Sequence, residues 1–307
     1  IQPIFYGNIL EKSKPKQFVK ELKNSDIIKV EFPWQFEFIF RNNSKSAPVI
    51  LDEHNVELYL MKQTIRNIPL ISGKLINIIK RKEEFACKNA DAIFTVSDDD
   101  KKRLSEIYNI SNKKIHVIPN GVDAEFYTTS FEEKEEIKNR LGLTNKRIVL
   151  FTGWGYPPNI EATQKIIKIS NKIKNKNVLF LVVGRCGETF KNIKKDNILF
   201  TGYIDDITPY FKAADIAINP MLSGSGTNIK MLEYMASGLP VISTPIGARG
   251  LDIVNNEHAI IANIDDFPEK LEELLNDEEM QKNLSQNGRK LVEEKYDWGK
   301  IAEKEMR

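Results

Sequence analysis

Short, continuous runs of Ile, Val, Leu and Phe recur along the chain, and they limit its possible folds more than any other feature. A strand with one wet face alternates apolar and polar residues, whereas a continuous apolar strand is buried on both faces, as in a parallel sheet covered by helices. The runs predict ten strands, at residues 26–30, 48–52, 91–96, 115–119, 147–152, 177–183, 197–201, 215–220, 239–244 and 258–262.

Longer amphipathic stretches separate these runs. They predict helices that include residues 53–67, 74–88, 98–108, 131–141, 159–174 and 228–237. Alternation of strand and helix favours an α/β fold with open, mostly parallel sheets.

Length and turn chemistry predict two domains. The chain has 307 residues, and domains commonly hold about 150. The turn-forming residues 118–123 are followed by a charged helix that ends at Gly142, after which a new strand begins. We therefore expect Rossmann-like domains at residues 1–142 and 143–285. The charged segment 286–307 is expected to form helices that pack back toward the first domain.

Composition excludes several classes of protein. A formal net charge of +2 is too small to provide the positive electrostatic field that a dedicated nucleic-acid binder uses to neutralise phosphates. No apolar run approaches the ~18 residues of a spanning helix. Cys87 and Cys186 lie far apart and outside any Cys/His cluster, so neither a disulfide framework nor a zinc site is predicted. We expect a cytoplasmic protein without a bound metal or cofactor.

The segment 219–243 carries the clearest chemistry. A strand runs into a Gly/Ser loop that contains Gly224, Ser225, Gly226 and Thr227, and the loop runs directly into a helix. Free amides at a helix start form an anion site, and glycines allow the backbone to approach a ligand closely. The hydroxyls of Ser225 and Thr227 can donate further hydrogen bonds.

Two charged residues follow on one face of this helix. Lys230 suits a phosphate, and Glu233, three residues on, suits a pair of sugar hydroxyls. The pair therefore predicts a site for a nucleoside diphosphate. The alternative is a capped helix with an ordinary surface Lys–Glu pair, which is worth a few tenths of a kcal/mol.

Four motifs are specific when taken together: GTNIKMLEYMASGLPVI at 226–242, IPNGVD at 118–123, ADAIFTVS at 90–97 and FTGY at 200–203. With these motifs the chain resembles one family, the retaining glycosyltransferases of the two-domain GT-B fold (group 1, family 4). The resemblance covers nearly the whole chain.

The resemblance implies an α/β GT-B fold with two Rossmann-like domains whose parallel sheets face a cleft. It implies metal-independent transfer of a sugar, with retention, from a nucleotide-diphosphate sugar to a saccharide or lipid-linked acceptor. Glu233 would hold the ribose, Lys230 and the amides of 225–227 the diphosphate, and the chain around Tyr203 the base.

The chain departs from the family pattern at two places. Ser225 stands where the family often has Glu, which leaves the donor sugar to loop amides and a hydroxyl. The stretch after the first strand of the second domain lacks the family's basic residue, and Arg185 is the candidate replacement, with an ordinary exposed loop Arg as the alternative. Gly153 would allow close approach of the donor.

His54 follows a predicted strand end, where open α/β sheets bind ligands. The resemblance places a His here, near the donor sugar and acceptor, where it would steady the developing charge or assist the acceptor hydroxyl. The alternative is a turn residue before a capped helix. His116 and His258 are expected to be structural.

Two further expectations concern the first domain. Its basic amphipathic helix 74–88 either covers the sheet or contacts anionic lipid at the inner face of the membrane. The family's first strand and Gly-rich loop are not found before Ile1, so we expect the domain to be truncated at its start.

Two other functions compete with transfer. One is an inactive GT-B module that binds nucleotide-sugars as a partner subunit, which Ser225 favours. The other is a nicotinamide-dependent oxidoreductase, but the chain has no Gly-x-Gly-x-x-Gly after a strand.

Overall fold

The computed structural model describes residue 13 and residues 15–43, 47–64 and 69–305. Its strands are β1 Ile28–Glu31, β2 Val49–Glu53, β3 Ala92–Thr95, β4 Ile115–Val117, β5 Arg147–Thr152, β6 Val178–Val183, β7 Ile198–Gly202, β8 Ile216–Asn219, β9 Val241–Ser243 and β10 Ile260–Ile261. Its α-helices are α1 Lys16–Asn24, α2 Phe36–Asn42, α3 Glu57–Thr64, α4 Pro69–Asn89, α5 Asp98–Tyr108, α6 Phe131–Arg140, α7 Pro157–Ser170, α8 Thr208–Ala213, α9 Ile229–Ala236, α10 Pro245–Ala248, α11 Phe267–Asn276, α12 Glu278–Leu291 and α13 Trp298–Glu305.

The chain divides into two compact units. One comprises residues 1–119 with 225–227, and the other comprises 120–224 with 228–307. The first unit holds a four-stranded sheet in the order β1-β2-β3-β4, and the second holds a six-stranded sheet in the order β10-β9-β8-β5-β6-β7. Every pair of neighbouring strands is parallel, which confirms the predicted α/β class.

Each predicted strand has a counterpart in the structure, and most bounds differ by one or two residues. Burial explains why the pattern was readable. All six residues of β6 and all four of β8 are buried, as a sheet covered on both faces requires.

The predicted helix 53–67 is wrong at its start. Glu53 belongs to β2, and α3 begins only at Glu57. Residues 65–67, the last of that prediction, lie outside the described part of the chain. Residues 1–12 also lie outside it, so the truncation of the first domain at its start stays a prediction. The physical reason for the later start is a cap supplied by a distant residue, Glu83 of α4.

Glu83 is fully buried and receives three hydrogen bonds. The amides of Glu57 and Leu58 donate to its two carboxylate oxygens at 2.6 and 3.0 Å, and the hydroxyl of Tyr108 donates at 2.5 Å. The first two bonds satisfy amides that a helix start leaves without partners. Glu83 therefore fixes where α3 begins, and with it the turn that carries His54.

Asp215 performs a comparable task in the second unit. Its carboxylate accepts hydrogen bonds from the ammonium of Lys138 at 3.0 and 3.1 Å and from the amide of Ile148 at 2.7 Å, and Lys134 lies at 2.8 Å. Burial opposes ionisation, but these partners outweigh it and hold the pKa of Asp215 below its usual range. The cluster ties α6 to the beginnings of β5 and β8.

The C-terminal helix α13 packs against the segment that opens the second unit. The amide of Trp298 donates to the carbonyl of Val122 at 3.1 Å, and the amide of Val122 donates to the carbonyl of Tyr296 at 2.9 Å. A β-carbon at Gly121 would lie 2.8 Å from Ile301 and Trp298, so a larger residue does not fit there.

In the described residues, no helix is both long enough and apolar enough to cross a membrane.

We expect Glu83→Ala to lower the free energy of unfolding by about 2–4 kcal/mol, because it leaves two buried amides and a buried hydroxyl without their acceptor. Urea unfolding measures this loss. The control is Glu84→Ala, which removes an exposed ion pair with Lys88 and should cost less than about 0.5 kcal/mol. Equal losses in the two variants would contradict the capping role.

Candidate functional site

The carboxyl ends of β5, β6 and β8 carry most of the predicted site. β8 ends at Asn219, the loop follows, and α9 begins at Ile229. The hydroxyl of Tyr234 on α9 accepts a hydrogen bond from the amide of Thr152, at the end of β5, at 2.8 Å. This bond fixes α9 against the sheet edge where parallel α/β sheets bind ligands.

The two ends of α9 match the sequence prediction. The side chain of Asn228 at its start does not cap the helix but donates to the carbonyl of Gly247 at 2.9 Å. Gly238 follows the last turn with φ 67°, and its amide donates to the carbonyl of Met235. The positive end of the helix dipole therefore adjoins the loop, without a capping side chain.

Left-handed backbone in the loop explains its glycines. Gly224 has φ 135° and Gly226 has φ 65°, conformations that side-chain-bearing residues rarely adopt. A β-carbon at Gly224 would lie 2.9 Å from the guanidinium of Arg249. Ser225 and Thr227 belong to the stretch that groups with the first unit.

The ammonium of Lys230 lies in a largely apolar position. It sits 4.3 Å from the centre of the Phe151 ring, at the end of β5. Its hydrogen bond goes to a neutral oxygen, Oδ1 of Asn159, at 2.9 Å. An amide oxygen and a ring face compensate an ammonium less than a carboxylate does, so this cation remains available to an anion.

The pKa of Lys230 reflects this position. Loss of water around the ammonium lowers the pKa to about 8, although the charge of Glu233 acts in the opposite direction. Burial raises the pKa of the Cys186 thiol, which disfavours the thiolate. A bound diphosphate would favour the protonated lysine further.

Glu233 lies one turn further along α9 and is partly buried. The hydroxyl of Tyr127 donates to its carboxylate at 3.1 Å. Burial raises the pKa of Glu233, while the Tyr127 hydrogen bond and the charge of Lys230 limit that rise. The carboxylate keeps acceptor capacity beyond this one bond, which two neighbouring hydroxyls of a ribose could use.

Gly153 directly follows β5 and lies beside Asn159, the residue that holds Lys230. A β-carbon at Gly153 would lie 3.0 Å from Cγ of Asn159 and 3.1 Å from the sulfur of Cys186. The glycine thus makes room for Asn159 to approach the sheet edge. This contact gives Gly153 a packing reason besides the predicted close approach of a donor.

Arg185 and Tyr203 are neighbours in an exposed aromatic cluster. The guanidinium carbon of Arg185 lies 4.8 Å from the ring centre of Trp154 and 5.0 Å from that of Tyr203. The two rings are 6.0 Å apart, and about half of each side chain is exposed. The cluster offers a nucleobase flat surfaces for stacking and a cation with several donors.

His54 lies in the first unit, directly after β2. Its ring stacks on Phe32, with centres 4.8 Å apart and planes 27° apart. Phe32 has φ 64°, a strained value for a bulky residue. Nε2 of His54 is shielded from solvent and has no hydrogen-bond partner in the described part of the chain, which leaves it available to a ligand.

The structure therefore places Lys230 near Glu233, and Asn159 links Lys230 to Gly153. Separately, Arg185 lies against Tyr203. Sequence reasoning missed four residues that support them, namely Phe32, Tyr127, Trp154 and Asn159. Trp154 and Asn159 follow the end of a predicted strand, so their position in the sequence could have marked them as candidate site residues. Nothing in the sequence marks Phe32 or Tyr127 in this way. Among the described side chains, no three of His, Cys, Asp or Glu are arranged to hold a metal ion.

Comparison with known proteins follows this division of the chain. The model described as "Glycosyl transferases group 1" matches residues 146–277, and that described as "Glycosyltransferase Family 4" matches residues 3–126. The chain belongs to the GT-B glycosyltransferases.

Relatives and solved structures agree with that placement. The chain is 27% identical over 228 residues to an uncharacterized glycosyltransferase of Methanocaldococcus jannaschii, covering 68% of this chain and 57% of the relative. It is 28% identical over 230 residues to the Escherichia coli UDP-Gal:alpha-D-GlcNAc-diphosphoundecaprenol alpha-1,3-galactosyltransferase, covering 70% and 56%. The chain thus spans little more than half the length of these relatives.

The structural likeness extends over both units. The crystal structure of Anabaena Alr3699/HepE in complex with UDP aligns with a TM-score of 0.78 at 14% identity, covering 95% of this chain and 80% of that one. At this identity the match establishes the GT-B fold.

We expect Lys230→Met to leave the stability of the protein within about 0.5 kcal/mol of the wild type or to raise it, because it removes a poorly compensated charge. Urea unfolding near pH 7, below the pKa of Lys230, provides the measurement. The matched control is Lys138→Met, which deprives Asp215 of a buried partner and should cost about 2–4 kcal/mol. A loss at Lys230 as large as that at Lys138 would mean that Lys230 serves structure.

Proposed function

We propose that this protein is a retaining, metal-independent glycosyltransferase that moves a hexose from a nucleotide-diphosphate sugar to a hydroxyl of a saccharide or lipid-linked acceptor. The observation that carries the proposal is the ammonium of Lys230, held against Phe151 and Asn159 at the start of α9, where no carboxylate of the described residues is its hydrogen-bond partner. Such a cation beside a helix N-terminus suits the diphosphate of the donor.

The neighbouring groups fit the rest of a nucleotide. Glu233, one turn from Lys230, is proposed to accept hydrogen bonds from the two ribose hydroxyls. The rings of Trp154 and Tyr203, with Arg185, are proposed to contact the base, and Arg185 also remains the candidate for a second phosphate cation. The loop residues 224–227 are proposed to contact the diphosphate and the sugar.

The reaction breaks the bond between the anomeric carbon of the sugar and the diphosphate oxygen and forms a bond from that carbon to the acceptor oxygen. Negative charge grows on the leaving diphosphate, and the lysine and helix amides would stabilise it in place of a metal ion. The acceptor hydroxyl transfers its proton to the oxygen of the leaving diphosphate, which balances the reaction. His54 is proposed to assist this hydroxyl or to steady the charge on the sugar.

Named relatives support the donor and acceptor classes. The Escherichia coli relative is named for UDP-galactose and for a sugar linked to diphosphoundecaprenol. Structures of Alr3699/HepE are described with UDP, with UDP and glucose, and with UDP-glucose. For a lipid-linked acceptor, we propose that the basic helix α4 contacts anionic lipid, as its Lys80, Arg81 and Lys82 would allow.

We expect Glu233→Ala to weaken the binding of the product nucleotide at least roughly tenfold, because hydrogen bonds to a charged partner are lost. Calorimetric titration with UDP and with GDP measures the affinity. The control is Glu273→Ala, an exposed carboxylate on α11 that pairs with Lys270, and it should bind like the wild type. Unchanged binding by Glu233→Ala would refute the ribose assignment.

We expect His54→Ala to lower the rate of transfer roughly a hundredfold or more while donor binding is kept, since the loss of a general acid–base group has this effect. Labelled nucleotide-sugars measure transfer and slow donor hydrolysis together. The control is His116→Ala, an exposed histidine on β4, which should retain full activity. Full activity of His54→Ala would remove this residue from the mechanism, and a wild type that binds donor without any turnover would indicate a binding module.

A further inference from the structure

Asn159 connects two parts of the second unit that the donor site requires. Its side-chain oxygen accepts the hydrogen bond of the Lys230 ammonium at 2.9 Å, and its side-chain nitrogen donates to the carbonyl of Trp154 at 3.0 Å. One amide group therefore holds the cation with one end and the turn after β5 with the other.

The position of Asn159 is itself fixed. Its carbonyl accepts a hydrogen bond from the hydroxyl of Thr163 at 2.9 Å, one turn further along α7. Its side chain lies so close to Gly153 that a β-carbon there would approach it to 3.0 Å. The side-chain amide of Asn159 is hydrogen-bonded through both its oxygen and its nitrogen, and it is closely packed. Such an amide restricts the position of the Lys230 ammonium more than water molecules would.

Asn159 also suits Lys230 for chemical reasons. Its neutral oxygen orients the ammonium without neutralising it, whereas an aspartate at this position would compete with a phosphate for the same charge. The other titratable groups that act on the ammonium are Cys186, from the 3₁₀ turn after β6, and Glu233, from α9 itself. Phe151 contributes an uncharged ring from β5.

We propose that Asn159 is a positioning residue for the donor diphosphate, which holds Lys230 at the carboxyl edge of the sheet and ties it to the turn that carries Trp154. This inference rests on the proposed function. Asn159 acts through Lys230, so its removal should change both the strength of nucleotide binding and the pH at which binding is lost.

The sign of the pH effect follows from Lys230. A diphosphate prefers the protonated lysine, so wild-type affinity is highest below the pKa of about 8 and falls as the pH rises through it. An aspartate at position 159 would raise that pKa and move the fall to higher pH. An alanine would withdraw the oxygen that stabilises the ammonium and move the fall to lower pH.

The experiment titrates the protein with UDP and with GDP from about pH 7 to about pH 10, a range in which Lys230 changes its charge. Asn159→Ala should weaken nucleotide binding roughly tenfold at the low end of the range. Asn159→Asp, of nearly equal size, should also bind less tightly there, because its carboxylate occupies the ammonium, but its affinity should persist to higher pH. The control is Asn197→Ala, which loses a structural hydrogen bond to the carbonyl of Ser170 in the same unit and should follow the wild-type profile.

The outcomes distinguish failure of the positioning role of Asn159 from failure of the proposed glycosyltransferase function. Shifts of the pH profile in opposite directions for the two variants support the positioning role. The positioning role would be overturned if Asn159→Asp, or a folded Asn159→Ala, kept the wild-type affinity and the wild-type pH profile. The proposed function would still stand in that case if Lys230→Met abolished nucleotide binding. A wild type that binds neither nucleotide would refute the proposed function itself.

Discussion

The second unit depends on the burial of its parallel sheet on both faces. Strands such as β6, with six buried residues in succession, leave no solvated face, so ligand chemistry is confined to the ends of the strands. All strands of the sheet point the same way, so their carboxyl ends and the helix starts that follow lie at one edge. Lys230, Asn159, Arg185 and Tyr203 all follow strand ends of this kind.

The electrostatics of that edge depend on the kind of partner that each buried lysine has. A buried cation elsewhere in the same unit, Lys138, has a carboxylate partner in Asp215. Lys230 has an aromatic face and an amide oxygen, and the cost of this arrangement is visible in its lowered pKa. The proposed diphosphate would offset this cost, whereas an internal carboxylate would compete with the ligand for the same ammonium.

The sequence was sufficient for the fold because its information is local. Continuous apolar runs located each strand that the described residues contain, and Gly238 located the end of α9, since both signals lie within a few residues of the feature that they mark. The predicted start of α3 was wrong because the residue that caps this helix, Glu83, lies 26 residues along the chain from Glu57, whose amide donates to it. No local pattern announces such a partner.

The arrangement of the candidate site was predictable to the same extent. Lys230 and Glu233 were predicted to share one helix face, and the structure places them close enough to interact. The residues that give them their properties come from distant segments: Tyr127 is 106 residues from Glu233, and Asn159 is 71 residues from Lys230. The left-handed backbone of Phe32 beneath His54 was equally hidden, because nothing in a phenylalanine signals that conformation.

The place where the nucleotide binds can be seen directly in a crystal of the protein soaked with UDP or GDP. We expect a pyrophosphate at the first turn of α9, within hydrogen-bond distance of the Lys230 ammonium, and a ribose whose hydroxyls reach Glu233. A nucleotide bound elsewhere on the molecule, with this edge of the sheet left unoccupied, would contradict this expectation.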